Sequence, residues 1–237
     1  MTVARAFSAA IVGLDGQTVI VETAIGAGLP GLTIVGLADM AVKESRERIR
    51  AALRHVGFPL PGKNVVVNLA PADLPKVGTA LDLAAALSIL AANGDIPAEP
   101  LTRVTILGEL ALDGALRPVP GVLAIAEDSV RQGRPELLVP AENAAEAAAV
   151  RNVVVRPVSH LGAAIAHVCG RETLPEFHDA GVVDAAVPEP EFDLADVRGQ
   201  ALARRALEIA AAGGHNVLMS ARKTRNTLWF DRIAGLW

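Results

Sequence analysis

The sequence predicts an α+β protein built on a two-layer mixed sheet with helices, and three observations carry that prediction. Short runs rich in Val and Ile, bounded by turn residues, recur at QTVIVETAI (17–25), LTIVGL (32–37) and KNVVVNL (63–69). Between and after them lie stretches whose apolar residues return at helical period. Asp113-Gly114, set between VTILGELAL (104–112) and ALRPV (115–119), is a strong hairpin signal that a strictly alternating parallel sheet would not contain.

Taken in order, the first helix is expected from Asp39, a side chain suited to capping, with Val42, Ile49, Leu53 and Val56 on one face and Gly57 as its stop. The strand at 63–69 leads through Pro71 and Pro75 into a helix at 80–92, stopped near Gly94. After the hairpin come a helix at 121–132, a strand at 136–139, a short helix at 141–149, a strand at 153–157 and a helix at 159–169. These elements make one domain, 1–170. Prolines and acidic residues without apolar periodicity mark 171–192 as a linker. Residues 193–220 then read as the opening of a second domain: an Ala/Leu/Arg helix, a Gly-Gly stop and the apolar run Val217-Leu218-Met219.

Composition narrows the functional classes. The 237 residues are 51% hydrophobic with a formal net charge of -4, so any contact with nucleic acid must come from a local patch and not from an overall cationic field. Aromatic residues make up only 3% and Tyr is absent, which argues against base stacking on aromatic platforms. A single cysteine, Cys169, excludes an internal disulfide framework and fits a reducing cytosol. No secretory leader or membrane span is evident, and a cytoplasmic location with no membrane partner is expected.

Four stretches offer chemistry. GAGLPG (26–31) has the glycines of a dinucleotide loop, but a strand follows where that fingerprint requires a helix, so it reads as an ordinary turn. His160 and His167, with Cys169 close by, share a helix face but fall short of a four-ligand metal set, and no metal site is expected. In MAVKESRERIRAALRHVG, residues Lys43, Arg46, Arg50 and Arg54 fall within about a quarter turn of one another. Such a stripe can hold phosphates, or it can be a solvated face whose field Glu44 and Glu47 reduce. PKVGTALDLAAAL (75–87) puts Lys76 and Gly78 before a helix N-terminus, a geometry that suits an anion or displays a nucleophile.

PKVGTALD resembles the loop of Lon-type proteases that carries the catalytic serine, and GELALDGALRPVPGVL (108–123) resembles the segment ending at their catalytic lysine. Position by position, the serine falls on Ala80 and the lysine on Leu123. Neither side chain can supply a nucleophile or a base, and Ser88 and Lys76 do not occupy those places. The resemblance implies a Lon-protease-like (ribosomal S5 domain 2-like) fold with no catalytic residues.

A closer resemblance runs through PGLTIVGLADMAVKESRERIRAALRHVGFPLP, VVVNLAPADLPKVGTALDLAAAL and LGELALDGALRPVPGVL. These are similar to the successive signatures of the YifB/ComM family, magnesium-chelatase-like AAA+ proteins in which a Lon-like (ChlI-type) domain precedes an ATPase module. FDLADVRGQALARRALEIAAAGGHNVLMS would begin that module. Val197, Gly199 and Gln200 lie in the box that lines the adenine side in such ATPases.

The family continues into a Walker A loop, G-x-x-x-x-G-K-[ST], whereas this chain has Ser220-Ala221-Arg222-Lys223-Thr224 without the glycines that wrap phosphates. Residues 221–237 are therefore expected to lie outside the family pattern, in a truncated, frameshifted or foreign tail. No cofactor and no ATP hydrolysis are expected of this chain, while the resemblance implies ATP and Mg²⁺ for the full-length family. It also implies DNA as a partner in branch migration during natural transformation, and homo-oligomers. The expected function is a non-proteolytic Lon-like module for DNA contact, assembly or partner docking, with the stripe Lys43, Arg46, Arg50, Arg54 as its surface. The alternatives are a pure oligomerisation module and a peptidase with a displaced Ser/Lys pair.

Overall fold

Two long strands, β1 (Thr2–Val12) and β2 (Asp15–Gly26), pair antiparallel in unbroken register from Thr2 opposite Ile25 to Val12 opposite Asp15. The sequence alone gives no strand signal at 2–12. The alternation is there, with Ala4, Ala6, Ser8 and Ala10 buried, but alanine and serine carry little strand propensity and conceal the period. This computed structural model describes residues 2–36, 39–74, 76, 78–178, 194, 197, 199–213, 215 and 217. They fall in two compact units, Met1–Asp179 and Ala180–Trp237.

Around that pair the first unit builds a seven-stranded sheet, completed by β3 (Gly31–Val35), β4 (Asn64–Ala70), β5 (Val104–Ile106), β8 (Glu136–Pro140) and β9 (Val154–Val158), in the order β3-β4-β2-β1-β5-β8-β9. β4 pairs antiparallel with β2, whereas β3–β4, β1–β5, β5–β8 and β8–β9 are parallel. The sheet is mixed with helices packed on it, as the sequence predicts, and most of its strand pairings are parallel, which the sequence signals did not show. The predicted strand 104–112 divides: at Gly108 the chain leaves the sheet, its N–H donating to the Ala80 carbonyl at 2.9 Å. It then makes the separate hairpin β6 (Glu109–Leu110) with β7 (Leu116–Arg117), which turns at Asp113-Gly114 as the sequence predicts.

Helix α1 (Met40–His55) begins as predicted, with Asp39 accepting the Val42 N–H at 2.7 Å. Helix α2 (Asp82–Asn93) is buried along nearly its whole length against β1 and β2, which explains its Ala/Leu/Ile composition. With α5 (Leu161–Val168) these helices form the main core, which includes Ile49, Leu53, Leu83, Leu87, Leu138 and Leu161. Helices α3 (Val122–Arg131) and α4 (Ala144–Ala148) form a second core on the other face of β8 and β9, where Leu137 and Val139 alternate with Leu138. Gly16 allows α3 to press on β2: a Cβ there would stand 2.5 Å from the Ala124 carbonyl oxygen.

Residues 174–177 run beside β9, with the Phe177 N–H donating to the Val155 carbonyl at 2.8 Å and Arg156 donating to the Leu174 carbonyl at 2.7 Å. The first unit thus continues beyond 170 into the stretch read as linker. In the second unit the described residues form one helix, α6 (Ala201–Gly213), with Leu207 and Ala210 buried. The expected strand Val217-Leu218-Met219 lies outside the described residues except for Val217.

Candidate nucleic-acid interface on α1

The four cations read as a stripe are not equivalent once α1 is packed. Arg46 and Arg50 both turn to Glu47, at 3.4 and 3.0 Å, so one carboxylate offsets two guanidinium groups. Arg54 is exposed, and its guanidinium has no partner among the described residues. The Lys43 side chain lies outside the described residues. Arg50 and Arg54 open onto a cleft of about 370 Å³ whose other walls are Pro30, Gly31, Pro59, Leu60, Pro61 and Gly62. Their spacing on the helix was readable from sequence. The cleft was not, because its walls come from two loops that only the fold brings beside α1.

The inward side of the same helix carries a different arginine. Arg48 Nε donates to Asp82 Oδ2 at 2.8 Å and its Nη2 to Ser45 Oγ at 2.8 Å, while the Leu110 N–H reaches the same Asp82 oxygen at 3.3 Å. The Asp82 side chain is fully enclosed. Burial pushes its carboxyl above the ordinary carboxylate range, and the bonds from Arg48 and Ser45 oppose that shift. This cluster ties α1, α2 and the β6–β7 hairpin together. Sequence reasoning missed it, since 34 residues separate Arg48 from Asp82.

The positions matched to the protease dyad hold no catalytic chemistry. Ala80 packs beside the second core, and Leu123 is 44% exposed with its N–H donating to Glu146 Oε1 at 3.0 Å. The displaced pair is not assembled either. Ser88 Oγ lies in the core 2.6 Å from Thr23 Oγ1, whereas the fully buried Lys76 ammonium donates to the Pro71 carbonyl. Burial lowers the Lys76 pKa from its ordinary value. Thr79 donates to Glu109, which also accepts from Arg117 at 3.3 Å.

His160 and His167 do local work. Nδ1 of His160 accepts the Gly162 N–H at 3.1 Å, capping α5, and its Nε2 meets the Asp113 carbonyl at 3.0 Å. Nδ1 of His167 accepts the Leu174 N–H at 3.2 Å. No group of three or more His, Cys, Asp or Glu suited to a metal occurs among the described residues. No described helix is long and apolar enough to cross a membrane.

In the second unit Val197 is buried, Gly199 and Gln200 are exposed with positive φ, and Arg204 donates to the Val197 carbonyl at 3.4 Å. These described residues form no phosphate cradle. Lys223-Thr224 lies outside the described residues.

The family model "Subunit ChlI of Mg-chelatase" matches residues 21–143, from β2 through α1, α2 and the hairpin to the start of α4. The chain is a magnesium-chelatase-like protein of the YifB/ComM family. A second model, "Magnesium chelatase, subunit ChlI", matches 193–234 and so continues across Ser220, where the sequence reading expects the family pattern to stop. An uncharacterised protein of Mycobacterium tuberculosis is 42% identical over 239 residues, covering 100% of this chain and 46% of that one. The YifB protein of Escherichia coli is 39% identical over 237 residues, again with 100% and 46% covered. Competence protein ComM of Haemophilus influenzae is 38% identical over 240 residues, with 100% and 47% covered. This chain therefore spans just under half the length of these family relatives. A Lon protease of Rhizobium meliloti is 26% identical over 202 residues, 80% of this chain and 25% of that one, in keeping with the Lon-like fold.

Proposed function

We propose that this chain acts as the non-proteolytic Lon-like module of a ComM-type AAA+ DNA branch-migration ATPase, and that it contacts DNA through Arg46, Arg50 and Arg54, with Lys43 on the same helix. The observation that carries the reading is the contrast within the family-matched region: the dyad positions hold Ala80 and Leu123, while α1 presents arginines to an open cleft. A module that has lost nucleophile and base but keeps a cationic surface is suited to binding and not to peptide hydrolysis. The name of the Haemophilus relative, a competence protein, agrees with a role in handling transforming DNA.

The ATPase chemistry belongs to the longer protein. The described part of the second unit does not fit a nucleotide unaided: Val197 turns inward, and neither Gly199 nor Gln200 brings a charge to phosphate. Between Ser220 and Lys223 the sequence has no glycines to wrap phosphates, so this chain should not turn over ATP. Homo-oligomers, ATP and Mg²⁺ are assigned to full-length relatives, and the setting is the cytoplasm. Labelled DNA titrated with the chain over a salt series tests the reading. Salt-sensitive binding that collapses in a triple Arg46→Ala, Arg50→Ala, Arg54→Ala variant supports it. Salt-independent binding, or none, rejects direct DNA contact and leaves assembly as the module's role.

A further inference from the structure

The cleft beside α1 has features that the stripe as a whole lacks. Apart from Arg50 and Arg54, its described walls are proline, glycine and Leu60, so no carboxylate of the described residues lines it and a ligand backbone can approach closely. Arg54 enters with no partner among the described residues, whereas Arg50 divides its charge with Glu47. The carbonyl end of α1 is already occupied by the N–H groups of Val56, Gly57 and Phe58, which weakens the repulsion an anion would otherwise meet there.

Next to wall residue Pro30, Leu29 projects 89% into solvent. The turn before it depends on Gly28, whose φ of +147 is strained for other residues and whose added Cβ would lie 3.2 Å from Asn64 Cβ. Pro30 fixes its own φ and holds Leu29, the residue before it, in extended backbone space. An apolar tip is thus held out beside a guanidinium pair.

We propose that this cleft grips a single strand of nucleic acid, with Arg54 and Arg50 on a backbone phosphate and Leu29 against the adjoining base. The inference rests on the DNA-contact reading above and narrows it to one site and one form of nucleic acid. Guanidinium forks match pairs of phosphate oxygens. The described walls contain no aromatic ring on which a base could stack, which leaves an apolar wedge as the means of engaging it. A single strand presents base faces without unpairing, whereas in a duplex Leu29 would first have to unstack a base step, which favours the single strand.

The test titrates the chain against a labelled single-stranded oligonucleotide and a duplex of equal length, over a salt series, for the wild type, Arg54→Ala, Leu29→Ala, Glu47→Gln and Arg151→Ala. All these side chains are exposed, and an unchanged thermal melt confirms that each variant folds. Arg54→Ala is expected to weaken single-strand binding several-fold and to reduce the salt slope by about 0.7. Leu29→Ala weakens it at unchanged slope, Glu47→Gln strengthens it by freeing Arg50, and Arg151→Ala changes it little. The wild type prefers the single strand to the duplex.

Wild-type binding that neither Arg54→Ala nor Leu29→Ala alters overturns the cleft assignment and leaves the broader DNA reading standing. Displacement of the strand by inorganic pyrophosphate at equal phosphate concentration reduces the site to a simple anion pocket and also overturns it. Absence of salt-sensitive binding by the wild type removes both readings together.

Discussion

Arg48 and Arg54 share helix α1, six positions and so about 120° apart, and packing gives them different tasks. Arg48 turns inward to the enclosed Asp82 and joins two helices and a hairpin, so its charge is consumed by the fold. Arg54 faces outward beside a proline- and glycine-walled cleft, with no partner for its charge among the described residues. The difference teaches that a count of cations on a helix does not measure its capacity to bind anions. What counts is which guanidinium groups the fold has already matched with carboxylates.

The strongest way to break the comparison is to remove the inner pair's acid. Asp82→Ala leaves the Arg48 charge without its buried partner and is expected to cost about 3–5 kcal/mol of stability in denaturant unfolding. Replacing Arg48 and Asp82 together by apolar residues of similar volume should recover much of that loss. If Asp82→Ala is as stable as wild type, the cluster is not what joins α1 to α2. On the outer face, Arg54→Ala should leave stability within about 0.5 kcal/mol while lowering affinity for single-stranded DNA.

Two titrating groups sharpen the comparison by showing what burial does to a basic side chain. Lys76 is enclosed with the Pro71 carbonyl as its described acceptor, and burial holds its pKa below the ordinary 10.5. The unfolded chain therefore binds the extra proton between the depressed value and 10.5, and stability should rise with pH across that window. Lys76→Met should remove the rise and stabilise the neutral-pH protein by on the order of 1 kcal/mol. Circular-dichroism melts across the alkaline range test both points, and a pH-independent wild type would refute them.

The smallest effect is expected at His167, whose pKa burial and then Arg156 lower from 6.5, with Nδ1 accepting the Leu174 N–H. Its contribution is present above 6.5 and lost as pH falls from there through the depressed value, because protonation destroys the acceptor. His167→Gln should flatten that acid-side decline in melting temperature.

Most of the first unit was legible in the sequence because its signals are local. Asp39 caps and Gly57 ends α1, Gly94 ends α2 at a φ of +87, and Asp113-Gly114 turns the small hairpin. Strand β1 escaped because its inward positions are alanine and serine, residues whose strand identity comes from the partners on either side and not from their own preference. The division of 104–112 escaped for a related reason: Gly108 departs toward the Ala80 carbonyl, a bond across 28 residues that no window along the chain contains.

The candidate interface divides in the same way. Helical period placed Lys43, Arg46, Arg50 and Arg54 together, and residue identity alone removed the peptidase dyad, since Ala80 and Leu123 lack the necessary atoms. Which arginine lacks a partner among the described residues, which is matched to Glu47 or Asp82, and that Pro30, Gly31 and 59–62 wall a cleft beside α1 were settled in three dimensions. Chemical capability belongs to a side chain and can be read one residue at a time. Unspent charge and shape arise between residues far apart in sequence, and only folding decides which of them meet.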